Sequence, residues 1–141
     1  MNHPHLILHA DGGARGNPGP AGAGAVLYDP QGRTLARRAR YLGRTTNNVA
    51  EYQGLILGLE TARDLGARSL TVRLDSELIV RQLNGQYRVR TPHLRPLYQK
   101  ARQLMTDFEA VEVQHVPREQ NAEADRLVNQ AIDQQGDLSQ G

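Results

Sequence analysis

Apolar positions fall in short runs broken by glycine, proline and asparagine over the first third of the chain, and at helical spacing after that. Leu6–Ala10, Ala21–Tyr28 and Thr34–Leu42 read as three strands. Asn17-Pro-Gly-Pro20 and Asp29-Pro-Gln-Gly32 are turn sequences that join them as an antiparallel meander. Gly22 and Gly24 in the second run predict close packing beneath another element. Thr45-Thr46-Asn47-Asn48 is rich in capping residues, and Asn48-x-x-Glu51 has the form of a capping box. Leu55, Ile56, Leu59, Ala62 and Leu65 then repeat at helical spacing up to a stop at Gly66. Ser69–Leu74 alternates as a strand, with Leu70, Val72 and Leu74 on one face. Ser76–Leu83 is a short helix closed by Asn84-Gly85. Pro92–Phe108 reads as a helix with Pro96 in its first turn, and Val111–Val116 as the last strand. Asn121 is placed to cap a final helix carrying Ala124, Leu127, Val128, Ala131 and Ile132. The tail after Gln134 is polar and expected to fray. The reading is one domain over 1–135 and a tail over 136–141.

The order β-β-β-α-β-α-α-β-α predicts an α/β fold. Its five-stranded mixed sheet has three antiparallel and two parallel strands, flanked by helices. A right-handed crossover sets the fourth strand beside the first and parallel to it. Both strands then end at one sheet edge, the first at Asp11 and the second at Asp75. Adjacent strands lie about 4.8 Å apart, which makes the two carboxylates neighbours. Ligand sites in such sheets collect at the carboxyl ends of parallel strands. Glu51, in the first turn of the long helix, and Asp125, at the start of the last helix, are expected at the same edge.

Composition narrows the chemistry. The chain has 141 residues and no cysteine, so disulfides and a Cys-ligated zinc site are excluded. Its aromatic content of 4% leaves few stacking platforms. No run approaches membrane-spanning length and the opening residues do not read as a signal peptide, so the expectation is a cytoplasmic protein with no membrane partner. The net charge of +2 hides an asymmetry. Residues 33–44 hold five arginines and residues 81–102 hold six basic residues, with no acid in either run. Either run alone could be a solvated face; two acid-free runs, almost all arginine, fit a phosphate backbone better.

Each acid has a local explanation. Asp11 could be a turn residue, Glu51 could close a capping box, Asp75 could cap the short helix, and Asp125 could complement a helix dipole. Together at one edge they would repel strongly, and a divalent cation removes that conflict. All-oxygen ligands point to Mg²⁺ or Mn²⁺ rather than zinc. The pair His3-x-His5 carries no metal argument of its own.

Three blocks carry a family resemblance: Asp11-Gly-Gly-Ala-Arg-Gly-Asn17-Pro-Gly, then Thr45-Thr-Asn-Asn-Val-Ala-Glu51, then Leu74-Asp75-Ser76 with the later His115 and Asn121-x-x-x-Asp125. In this order and spacing they resemble type-1 ribonucleases H over nearly the whole chain. The resemblance implies a ribonuclease H-like fold and endonucleolytic cleavage of the RNA strand of an RNA–DNA hybrid, leaving 5′-phosphate and 3′-hydroxyl ends. It assigns Asp11, Glu51, Asp75 and Asp125 to two Mg²⁺ ions, with Mn²⁺ as a substitute. His115 falls where the family keeps a mobile histidine; the alternative is an ordinary strand residue, with Arg118 as the second candidate for the role. The resemblance assigns 2′-hydroxyl reading to the backbone around Gly12 and Gly13 and to Asn17, Asn47, Asn48 and Glu77. Arg44 and Thr46 match a pocket for a DNA-strand phosphate. Turn, cap and surface-charge roles compete at these positions. The chain departs from larger bacterial members in the short Asn84–Thr91 span, where they carry a basic handle; Arg88 and Arg90 are partial replacements. Compact relatives also cut double-stranded RNA in some cases, which extends the partner class. The expected active form is a monomer. The rival readings are another nuclease of the same fold and a non-catalytic hybrid-binding module.

Overall fold

The three opening runs form β1 (His5–Ala14), β2 (Gly19–Tyr28) and β3 (Thr34–Thr45), paired antiparallel in sequence order. The computed structural model describes residues 4–141, so His3 lies outside the described residues. After α1 (Asn47–Asp64) the chain enters β4 (Ser69–Leu74), which pairs with β1 in parallel, Leu8 opposite Val72. Next come α2 (Glu77–Leu83), α3 (Arg95–Met105) and β5 (Ala110–His115), the last parallel to β4. A 3₁₀ turn over Arg118–Asn121 leads into α4 (Ala122–Gln134). The spatial order is β5-β4-β1-β2-β3-β6.

The sixth strand is an addition to the expected five. Residues 136–141, read as a frayed polar tail, contain β6 (Leu138–Gln140), antiparallel to β3. Its hold comes from distant partners rather than its own composition. The Tyr41 N–H donates to Asp137 at 2.8 Å, the Arg38 guanidinium donates to the Gln140 carbonyl at 2.6 Å, and Leu138 packs beside Val26, Ala39 and Leu127.

Helix α1 covers one face of the sheet together with α3, and α4 covers the other against β2 and β3. The main core joins Leu6 and Leu8, Leu70 and Val72, Ala25 and Leu27 with Tyr52, Leu55, Ile56 and Leu59 of α1. The packing expected of Gly22 and Gly24 is present. A Cβ on Gly24 would stand 2.6 Å from the Ala124 carbonyl oxygen, so α4 rides directly on the β2 backbone. Pro96 sits in the first turn of α3, which is shorter than the expected 92–108 span. Among the described residues, no helix is long and apolar enough to cross a membrane.

Candidate active site

β1 carries Asp11 past its parallel pairing with β4, and Asp75 follows the last residue of β4, so the two acids meet at the carboxyl edge of adjacent strands. They line one cleft, close enough for the Asp75 charge to act on Asp11. Glu51 arrives through a backbone-to-backbone approach. A Cβ on Gly12 would collide with the Ala50 carbonyl, and one on Gly54 with the Asp11 carbonyl. Two missing side chains therefore let α1 lie against β1 at Asp11.

The capping geometry differs from the expected box. Thr46 is the N-cap, its Oγ1 accepting from the Val49 N–H at 3.3 Å. Glu51 is thus one turn further in and free of capping. Asp75 is free of it too, because Ser76 caps α2 by accepting from the Ile79 N–H at 3.3 Å. Asn121 does not cap α4 with its side chain. It is buried instead, with its amide donating to the Ala10 carbonyl at 2.8 Å and its Oδ1 3.2 Å from His9 Nδ1. One side chain thereby ties β1 to the turn that launches α4 and Asp125.

Asp11, Glu51, Asp75 and Asp125 line a single cleft of about 460 Å³, with Gly12, Gly13, Asn47, Ser76 and Arg118. Burial, then the Asp75 charge, pushes Asp11 up to about 8. Burial pushes Glu51 up to about 7 against a hydrogen bond from Ser76, with the Asp75 charge adding to the rise. Asp75 is also raised, first by burial, while Arg118 pulls it down. Carboxyl groups made to hold protons near neutrality by burial, and then by neighbouring charge, are short of positive charge. Among the described residues, no group of three or more acidic, histidine or cysteine side chains stands close enough together to hold a metal ion as placed. An open, all-oxygen cleft fits Mg²⁺, which keeps several waters and takes few protein carboxylates.

A family model described as reverse transcriptase-like matches residues 9–131. The RNase H1 of the archaeon Halobacterium salinarum superposes with a TM-score of 0.90 at 42% identity, covering 92% of this chain and 98% of that one. The chain belongs to the type-1 ribonuclease H family. Another RNase H1, LC11-RNase H1 solved in complex with RNA/DNA hybrid, superposes at 0.87 with 47% identity, covering 92% and 97% of the two chains. The bifunctional protein Rv2228c of Mycobacterium tuberculosis is 48% identical over 129 residues, 91% of this chain, and this chain spans only 35% of its length.

Within this type-1 ribonuclease H chain the remaining candidates divide. Asn47 Oδ1 accepts from the Ala14 N–H at 2.7 Å, and Asn17 Oδ1 accepts from the Asn47 N–H at 3.1 Å. Thr46 and Asn48 lie on the first turn of α1, and Arg44 is exposed near the end of β3. Glu77 is outside the cleft lining and ion-paired to Arg81 at 2.9 Å. His115 ends β5 opposite Leu74, exposed and outside the cleft lining. Arg118 is inside it, its Nη2 3.8 Å from Asp125 Oδ1. The sequence reading missed Ser76 as a donor to Glu51 and Arg15 as a cleft residue held by Asp133 at 2.6 Å. Adjacency to Asp75 was the available signal for Ser76; for Arg15, whose anchor lies 118 positions away, there was none.

Proposed function

We propose that this chain hydrolyses the RNA strand of RNA–DNA hybrids, with Asp11, Glu51, Asp75 and Asp125 holding two Mg²⁺ ions. The observation that carries the proposal is the convergence of these acids, from four separate parts of the chain, on one cleft where burial and then neighbouring charge raise Asp11 and Glu51. When bound, the ions supply charge neutralisation at the scissile phosphate and activation of the attacking water. The chain's own residues do the rest. Ser76 orients Glu51, and Arg118 reaches over Asp125 to a position where it can meet a phosphate oxygen. The side-chain oxygens of Asn17 and Asn47 are engaged by backbone N–H groups, which turns their NH₂ groups outward as donors for a ribose 2′-hydroxyl. Arg44 and Thr46 are in place to hold a phosphate of the DNA strand. The hybrid bound in the LC11-RNase H1 complex supports this substrate class.

The test is a hybrid with each strand labelled separately, run beside duplex DNA and duplex RNA, with and without Mg²⁺. The proposal expects cuts in the RNA strand of the hybrid only when Mg²⁺ is present, leaving 5′-phosphate and 3′-hydroxyl ends and intact DNA. Binding without cutting overturns it in favour of a hybrid-binding module. Cleavage of duplex DNA overturns it in favour of another nuclease chemistry. Cleavage of duplex RNA as well extends the substrate class.

A further inference from the structure

His9 stands two positions before Asp11 on β1, half-buried and outside the cleft lining. It alternates with the core residues Leu8 and Ala10 and so faces away from α1. Its ring meets Tyr28 edge to face, with the centroids 5.4 Å apart. Its Nδ1 lies 3.2 Å from Asn121 Oδ1. The direction of that bond follows from the other end of the same amide. Asn121 donates its NH₂ to the Ala10 carbonyl at 2.8 Å, so the oxygen is the end turned to His9. An amide oxygen only accepts; His9 Nδ1 therefore carries a hydrogen and donates it. Asn121 is 1% exposed, so an oxygen left without that donor has no water to turn to.

Asn121 closes the 3₁₀ turn Arg118–Asn121, and its side chain gives α4 no cap. Arg118 lies three residues before it and Asp125 four residues after, about one helical turn on. The Gly24 contact sets how near α4 lies to β2, and the Asn121 amide sets where that helix begins along β1. We infer that His9 is a positioning residue: by donating from Nδ1 to Asn121, it fixes the turn that delivers Arg118 and Asp125 to the cleft. The inference rests on the hybrid-cleaving reading and deepens it, since His9 acts through Asn121 and lines no part of the cleft. A turn free to shift would move a carboxylate and a guanidinium together, while Asn17, Asn47 and Arg44, on other elements, would still receive the hybrid.

The test measures hybrid cleavage and amide hydrogen exchange in the wild type, His9→Phe, His9→Asn, Asn121→Ala and the variant carrying both His9→Phe and Asn121→Ala. Phe keeps a ring against Tyr28 and removes the donor; Asn returns an N–H close to where Nδ1 stood. Loss of one hydrogen bond predicts a kcat about fivefold lower for His9→Phe with KM unchanged. His9→Asn should recover most of that loss. In the Asn121→Ala background, His9→Phe should add nothing further. In the metal-free protein, His9→Phe should quicken exchange over residues 118–125 and leave β4 as it was. Unchanged kcat and unchanged exchange in His9→Phe overturn the inference, as does a His9→Asn variant as slow as His9→Phe. So does an equal His9→Phe loss with and without Asn121, or quickened exchange spread over the whole sheet, either of which reduces His9 to packing. If the wild type cuts no hybrid, the underlying reading fails, and the exchange pattern alone then decides the inference.

Discussion

Asp11 is the residue on which the electrostatics turn. It is half-hidden on β1, just past that strand's pairing with β4, and holds its proton up to about 8, against 3.8 for an ordinary aspartate. A carboxyl whose folded value is raised contributes stability that is complete below the unfolded value and lost as pH climbs through the folded one. The metal-free protein is therefore expected to lose thermal stability from about pH 4 to about pH 8 and to level off above that, with Glu51, at about 7, acting in the same sense. Asp11→Asn should flatten much of that loss in EDTA while lowering hybrid cleavage at least about a hundredfold. Melting curves across pH, beside a cleavage assay, check both; a variant that cuts normally contradicts the cation role. Arg118 and His115 make a second residue-scale test. Arg118→Ala should lower kcat by roughly tenfold or more, and His115→Ala by less, because only Arg118 reaches the cleft. The reverse ranking in single-turnover rates contradicts this assignment.

Two helix-to-sheet contacts bring the acids together at the scale of elements. Helix α1 meets β1 at Gly54 and Gly12, and α4 meets β2 at Gly24. Gly54→Ala puts a methyl against the Asp11 carbonyl and should cost about 3 kcal/mol of stability. It should also reduce cleavage by withdrawing Glu51 from Asp11; a denaturant melt and a cleavage rate unchanged from wild type contradict the account. These elements were partly legible in the sequence. Alternation and turn residues placed β1 to β5 because that information is local. The start of α1 was misread because Thr45, Thr46, Asn47 and Asn48 are all plausible caps; Thr46 is chosen by contacts from Asn17 and Ala14 that tie Asn47 into the first turn. β6 was invisible for the opposite reason. Its sequence is polar, and Arg38, Tyr41 and the α4 side of the sheet supply its partners from about a hundred residues away.

Across the whole molecule, the acids occupy one end of the sheet and the arginine-rich segments lie on β3 and on the span from α2 to α3. On the proposed reading, a polyanion drawn to the arginines meets a cleft of carboxylates whose charge bound cations would neutralise. The four carboxylates were readable because strand ends and helix starts at a parallel sheet edge are a matter of topology. The cation facing them was harder to place. Pro117 and one 3₁₀ turn carry position 118 into the cleft and leave position 115 behind on β5, which linear spacing does not reveal. The most direct test is a ¹³C-carboxyl NMR titration of Asp11, with and without Mg²⁺. The account predicts a midpoint near 8 in the metal-free protein and a fall well below neutrality once Mg²⁺ is present. A midpoint near 4 without metal, indifferent to Mg²⁺, contradicts it.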